Sequence, residues 1–244
     1  MTNVFIVMRR ELGAIFSQPI AYIFTFLLVG FTGFFFWGEL TAALLVQGFV
    51  SPDPRLVFNA LPFLLIFLIP ALTMRLLSTE QSSGTVELLM TLPLRDGEVV
   101  VGKYLAGLVA YLPTLAFTTI FVVFIVIYGN PDPGVLFAAY LGHLLYVSAL
   151  LGLGTLASAM SNNQLAAWLI GFVLALALYI IDFPGQIGVL GETAATVLRE
   201  LSFRLHLENF MRGLITARDV AYYVLVTAVS LFAATRVMES RRWR

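Results

Sequence analysis

A series of long apolar runs constrains this chain more than any other feature of its sequence. Six runs of about 20 residues or more carry almost no charge: 20–42, 56–77, 99–128, 136–160, 164–182 and 220–238. About 20 apolar residues in a helix cross the roughly 30 Å of bilayer hydrocarbon. Lipid offers no hydrogen-bond partners to backbone N–H and C=O groups. A helix is therefore favoured, because it makes all of its backbone hydrogen bonds within one segment. The sequence therefore predicts an all-α integral membrane protein with six transmembrane helices.

Composition excludes several other classes of protein. The chain is 60% hydrophobic and 11% charged, whereas ordinary soluble domains are about 25% charged. Lys+Arg and Asp+Glu number 14 each, so no basic surplus exists for nucleic acid. The absence of cysteine rules out disulfides, a thiol nucleophile and a cysteine metal site. No Asp/His/Glu cluster has a spacing suited to catalysis, so we expect neither a catalytic nor a metal site.

The first 19 residues have the pattern of an interfacial helix. Phe5, Met8 and Leu12 recur at helical spacing, and Arg9 and Arg10 turn mostly the other way. This suits a helix on the membrane surface, with its arginines on lipid headgroups. Pro19 would end it. The alternative is that this segment simply begins the first span.

Basic residues predict the orientation. Six spans place both termini on one side, together with nine of the fourteen basic residues: Arg9, Arg10, Arg75, Arg95, Lys103, Arg236, Arg241, Arg242 and Arg244. Basic loops favour the cytoplasmic side. We therefore expect a multi-pass membrane protein, residues 1–244 forming one domain, with both termini in the cytoplasm.

The connection 78–98 between the second and third spans is polar and amphipathic. It reads "STEQSSGTVELLMTLPLRDGE", with Ser and Thr as helix caps, apolar residues at helical spacing and Pro93 as a stop. It predicts a short helix lying parallel to the membrane. A solvated hairpin resting on the headgroups is an equally good reading of the periodicity alone.

The same region resembles the signature of ABC-2 type permeases, the membrane subunits of ABC transporters. The resemblance covers "PALTMRLLSTEQSSGTVELLMTLPL" and the return through "VGKYLAGL", and the six-span layout extends it over the chain. Within that family it is nearest to the NosY-like and gliding-motility-associated permeases. Gln81 replaces the second acid of the family's acidic pair. The matching positions are Leu72, Thr73, Met74, Arg75, Glu80, Gly84, Thr85, Glu87, Leu88, Leu89 and Pro93.

The resemblance implies that 79–92 is a coupling helix seated in a cytoplasmic ATPase subunit. The residues expected to bind that partner are Glu80, Gly84, Thr85, Val86, Glu87, Leu88, Leu89 and Met90. It also implies two ATPase subunits, a second permease copy or a related permease, and a location in the bacterial inner membrane. The only lysine, Lys103, lacks the glycine spacing and the Ser/Thr of a phosphate-binding loop. We therefore expect no enzyme activity and no cofactor in this chain, with ATP and Mg bound by the partner.

A second amphipathic stretch, 199–223, begins in the outer connection 183–219 and runs into the last span. It suggests an amphipathic or partly re-entrant helix before the last span. The family has a His, a Phe and an Arg-Gly pair here, matched by His206, Phe210, Arg212 and Gly213. One interpretation is an outer gate or lid. The other is a solvated loop with His206 at the headgroups.

Isolated residues within the spans suggest packing. Ser148, Gly152, Thr155 and Ala159 share one face of the fourth span, which allows another helix, from this chain or a second protomer, to approach closely. For His143 we expect an interhelical hydrogen bond. Asp182, near an outer span end, is expected to reach water.

Three functions compete at this stage. The first is an ABC permease that exports or extrudes an amphipathic or lipid-linked substrate through a cleft between two six-span protomers, a direction taken from the resemblance. The second is an ion-coupled transporter, disfavoured because the charges lie almost wholly at span ends. The third, a lipid-modifying membrane enzyme, lacks the required cluster of reactive groups. Substrate identity stays open.

Overall fold

The computed structural model describes residues 2–47, 53, 55–82, 95–129, 131–187 and 191–241. Helices and short connections make up all of these residues, and no strand occurs among them. The helices are α1 (Thr2–Phe16), α2 (Pro19–Gln47), α3 (Arg55–Phe58), α4 (Leu61–Thr73), α5 (Ser78–Ser82), α6 (Asp96–Gly129), α7 (Pro133–Met160), α8 (Gln164–Ile180), α9 (Phe183–Gln186), α10 (Glu192–Glu200), α11 (Phe203–Met211) and α12 (Ala217–Arg241).

Six helical segments in the described ranges are long and apolar enough to cross a membrane. Their bounds are Pro19–Ala42, Leu61–Ser82, Asp96–Ile127, Pro133–Met160, Gln164–Gln186 and Ala217–Ser240. The prediction of an all-α integral membrane protein with six spans is therefore confirmed. One end of the bundle carries α1, α5 and the last turns of α12, and we call it the terminal end. The opposite end carries α3, α9, α10 and α11.

Polar caps begin three of the helices. Asp132 Oδ1 accepts a hydrogen bond from Gly134 N (2.7 Å) at the start of α7. Asn163 Oδ1 accepts one from Leu165 N (2.8 Å) at the start of α8, and the Ser202 hydroxyl caps α11. Such caps satisfy N–H groups that have no partner within the helix.

Helix α7 is the centre of the bundle and packs against α4, α8, α11 and α12. The face predicted for close helix approach lies against α12 of the same chain. A Cβ at Gly152 would lie 3.3 Å from Thr227 Cα, and Ser148 Oγ is 3.3 Å from Thr227 Oγ1. Ala159 packs in a cluster with Ala234 and Met238 of the last helix.

The expectation for His143 was wrong. Its side chain is fully buried, and neither ring nitrogen has a hydrogen-bond partner among the described residues. The imidazole lies within an aromatic cluster, with ring centroids 5.3 Å from Phe58 and 6.4 Å from Tyr111 and from Tyr146. The sequence identified a polar side chain within a span, but in the structure aromatic rings surround it.

Candidate coupling site and outer helix assembly

The junction between α4 and α5 is fastened to the end of α7. Helix α4 ends at Thr73, and the chain turns before α5 begins at Ser78. The Ser158 hydroxyl accepts hydrogen bonds from Leu77 N (3.0 Å) and Ser78 N (3.1 Å) and lies 3.1 Å from Met74 O, to which it donates. One buried hydroxyl therefore satisfies the backbone groups that the turn leaves open.

Four charged side chains join α5 to α1 and α6, and we call Arg10, Glu11, Glu80 and Lys103 the charge cluster. Lys103 Nζ is 3.0 Å from Glu11 Oε2 and 3.0 Å from Glu80 Oε1. Arg10 Nη2 is also 3.0 Å from Glu80 Oε1. The Lys103 side chain is 1% exposed, and a buried ammonium is tolerated only where it is paired. Two positive and two negative charges therefore hold three helices together.

Amide side chains tie α5 to two further elements. Gln81 Nε2 donates to Ala159 O at the end of α7 (3.1 Å). Gln164 Nε2, in the first turn of α8, donates to Thr79 Oγ1 (3.1 Å). Helix α5 is thus joined by ion pairs to α1 and α6 and by hydrogen bonds to α7 and α8.

Most of the predicted ATPase-binding residues lie outside the described residues. Glu80 is the described member of that set, and it belongs to the charge cluster. The others, which follow it in the sequence, are Gly84, Thr85, Val86, Glu87, Leu88, Leu89 and Met90.

At the opposite end, α11 lies beside α7 and reaches into the bundle. The Phe203 ring at the start of α11 is 5.6 Å from the Tyr146 ring, and Tyr146 lies about 20 Å along α7 from its first residue. A Cβ at Gly142 would overlap with Phe210 Cβ. At the end of α11, Gly213 adopts φ 81°, a left-handed conformation that favours glycine. Helix α11 therefore returns outward along α7 instead of resting on the bundle surface.

His206 is buried, so the reading of a surface histidine at the headgroups was wrong. Its Nδ1 is 2.5 Å from Asp219 Oδ1, and its Nε2 is 2.9 Å from Glu200 O. The ring stacks on Tyr222, with centroids 4.0 Å apart. Each ring nitrogen therefore faces an oxygen that can accept a hydrogen bond, one from the Asp219 carboxyl group and one from the Glu200 carbonyl.

Asp219 holds this assembly together from the first turn of α12. Besides His206, it accepts hydrogen bonds from Asn209 Nδ2 (2.9 Å) and Thr216 Oγ1 (2.6 Å). The remaining predicted gate residue, Arg212, is exposed and pairs with Glu208. Of the four predicted positions, His206 and Phe210 thus anchor α11, whereas Arg212 lies at the surface.

Asp182 does not reach water as expected. Its side chain is 1% exposed and accepts hydrogen bonds from Ser202 Oγ (2.9 Å), Arg204 Nη2 and Gln186 Nε2. The end of α8 is thereby bonded to the start of α11. The sequence placed Asp182 near a span end correctly but gave no sign of the residues that return from 20 positions later.

Comparison with known proteins establishes the family. The sequence profile described as "ABC-2 family transporter protein" matches residues 38–238, most of the chain. The chain belongs to the ABC-2 transporter family. No curated protein matches it. The match confirms the resemblance at the level of the family.

An ABC-2 transporter protein is the membrane subunit of a transporter and is not itself catalytic. Family membership implies ATPase partner subunits in general and, with the six apolar helices, a multi-pass membrane protein. In this ABC-2 subunit, sequence reasoning missed the roles of Glu11, Ser158 and Asp219. Spacing within one segment cannot reveal them, because each contacts another helix.

Proposed function

We propose that this ABC-2 protein is the permease half of an ATP-driven exporter. Two six-span protomers, identical or related, form a cleft between them, and two cytoplasmic ATPase subunits drive it. ATP and Mg bind to those partners. Both termini lie in the cytoplasm, and the membrane is the bacterial inner membrane. The signature around Thr73 and Glu80 favours the NosY-like and gliding-motility-associated subfamily.

The observation that carries this proposal is the fastening of α5. A segment that receives force from a partner must be bonded firmly to the helices it moves. Lys103 joins α5 to α1 and α6, and Ser158 joins the preceding turn to α7. Residues 79–92 then form the coupling helix, and approach of the ATPase subunits tilts the second and third spans.

The proposed cargo is amphipathic or lipid-linked. The spans present apolar side chains, including Phe63, Phe67 and Trp168, the last of which stacks on Phe172. Apolar walls suit acyl or isoprenoid chains better than charged solutes. Export follows from the family resemblance.

We further propose that α11 is the outer lid of the route. It reaches into the bundle, and its anchoring pairs, His206 with Asp219 and Arg204 with Asp182, can exchange partners when the neighbouring spans move. Its aromatic residues, Phe203 and Phe210, close the space beside α7.

Co-purification tests the proposed function. We expect an ATPase subunit to remain bound in mild detergent and to be lost when Glu87 and Leu88 are both changed to Arg. The matched control is Glu239→Arg, an exposed residue at the same end of the bundle, which should retain the ATPase. Retention of the ATPase by the double variant, or transport driven by an ion gradient without ATP, would refute the proposal.

A further inference from the structure

A cavity of about 400 Å³ lies at the terminal end, beside the charge cluster. Helices α1, α5, α6 and α8, the end of α4 and the first residues of α2 line it. Its lining includes the apolar side chains of Ile15, Ile20, Leu72 and Leu76. It also includes Arg75 and the charge cluster. The size of the cavity falls in the range of ligand sites, about 300–1,000 Å³, and a lining that is part apolar and part charged suits an amphiphile.

Charge in the cavity lining favours an anion. Lys103 and Arg10 are neutralised by Glu11 and Glu80, which leaves the positive charge of Arg75. Among the described residues, no carboxylate lies within 4.0 Å of its guanidinium, which donates from Nη1 to Gln18 Oε1 (2.8 Å). A guanidinium has five N–H donors, so the remaining N–H groups of Arg75 can bind two phosphate oxygens at once.

We propose that this cavity binds the phosphate headgroup of an anionic phospholipid from the adjacent leaflet. Arg75 binds the phosphate, and the acyl chains leave along Ile20 and Leu72. Basic pockets between helices at a membrane surface suit such headgroups. A free phosphate would use the same arginine but not the apolar side chains of the lining, so those side chains favour lipid. Bound lipid then bridges α1 to the junction before α5 and stiffens the coupling segment.

Thermal unfolding of the purified permease in neutral detergent tests the site. We expect phosphatidylglycerol to raise the apparent Tm more than phosphatidylcholine. In Arg75→Gln the apparent Kd for phosphatidylglycerol should be at least about tenfold weaker, since charge-assisted hydrogen bonds are lost. Arg236→Gln, an exposed arginine at the same end but outside the cavity, should behave as wild type. Equal binding by Arg75→Gln overturns the site, and an equal, Arg75-dependent rise with inorganic phosphate overturns the lipid assignment.

A second variant fills the cavity and leaves Arg75 in place. Ala14 lines the cavity and is exposed, so Ala14→Phe adds a ring without disturbing the core. Native mass spectrometry should show one phosphatidylglycerol fewer retained than in wild type, and an unchanged number overturns the proposal. Because no ATPase subunit is needed, this result is separate from the co-purification test.

Discussion

Replacing Lys103 with Met tests whether the charge cluster acts as one unit. The substitution keeps the length of the buried side chain but removes the cation shared by Glu11 and Glu80, each 3.0 Å away. Loss of one partner from a buried ion pair costs about 3–5 kcal/mol. The two carboxylates keep 14% and 16% exposure, so we expect a loss at the lower end, about 3 kcal/mol.

The assay is thermal unfolding of the purified protein, arranged as a double-mutant cycle with Glu80→Gln. For a chain of this size, about 3 kcal/mol lowers the apparent Tm by about 6–12 °C. The pair should show a coupling energy of about 1–3 kcal/mol. Adding Glu11→Gln to the double variant should recover stability, because no uncompensated buried charge remains. Wild-type stability of Lys103→Met, or additive losses from Lys103→Met and Glu80→Gln, would refute the reasoning.

Three other substitutions test separate contacts by the same unfolding assay. Gly142→Ala should lower the free energy of unfolding by about 1–3 kcal/mol because the added methyl group overpacks against Phe210. Gly30→Ala is the control, since no atom lies within 4 Å of its added Cβ, and it should leave the free energy of unfolding unchanged. Equal changes in the two variants would contradict the close approach of α11 to α7. Ser158→Ala should cost about 1–3 kcal/mol because it leaves backbone groups at the α4–α5 turn without partners, and a neutral result would mean that the turn is not fastened there. Asp219→Leu should cost about 1–3 kcal/mol because it leaves His206 and Asn209 without their acceptor, and retention of wild-type stability would contradict the anchoring of α11 by Asp219.

The six spans could be predicted from sequence because each is decided locally. A run of about 20 apolar residues has only one way to satisfy its backbone in lipid. Helix starts such as those after Asp132 and Asn163 are likewise local, because side chain and backbone partner lie two or three residues apart. Family membership followed from the residues around Thr73 and Glu80, a short and specific pattern.

Partners of buried polar groups could not be predicted, because long-range packing decides them. Asp182 was expected in water, yet Ser202 and Arg204 return to it from the next segment. His143 was expected to bond to a neighbouring helix, yet aromatic rings surround it. The spacing that predicted an amphipathic helix around His206 was informative, but it could not show that the helix enters the bundle.

Cysteine cross-linking tests the central claim, that the segment after α5 is the contact for the ATPase, most directly. The chain has no native cysteine, so a single Leu88→Cys variant can carry a short thiol-reactive cross-linker in membranes. We predict a covalent adduct with the ATPase subunit from Leu88→Cys and none from Val197→Cys, an exposed position on α10 at the opposite end. An adduct from Val197→Cys, with none from Leu88→Cys, would contradict the account.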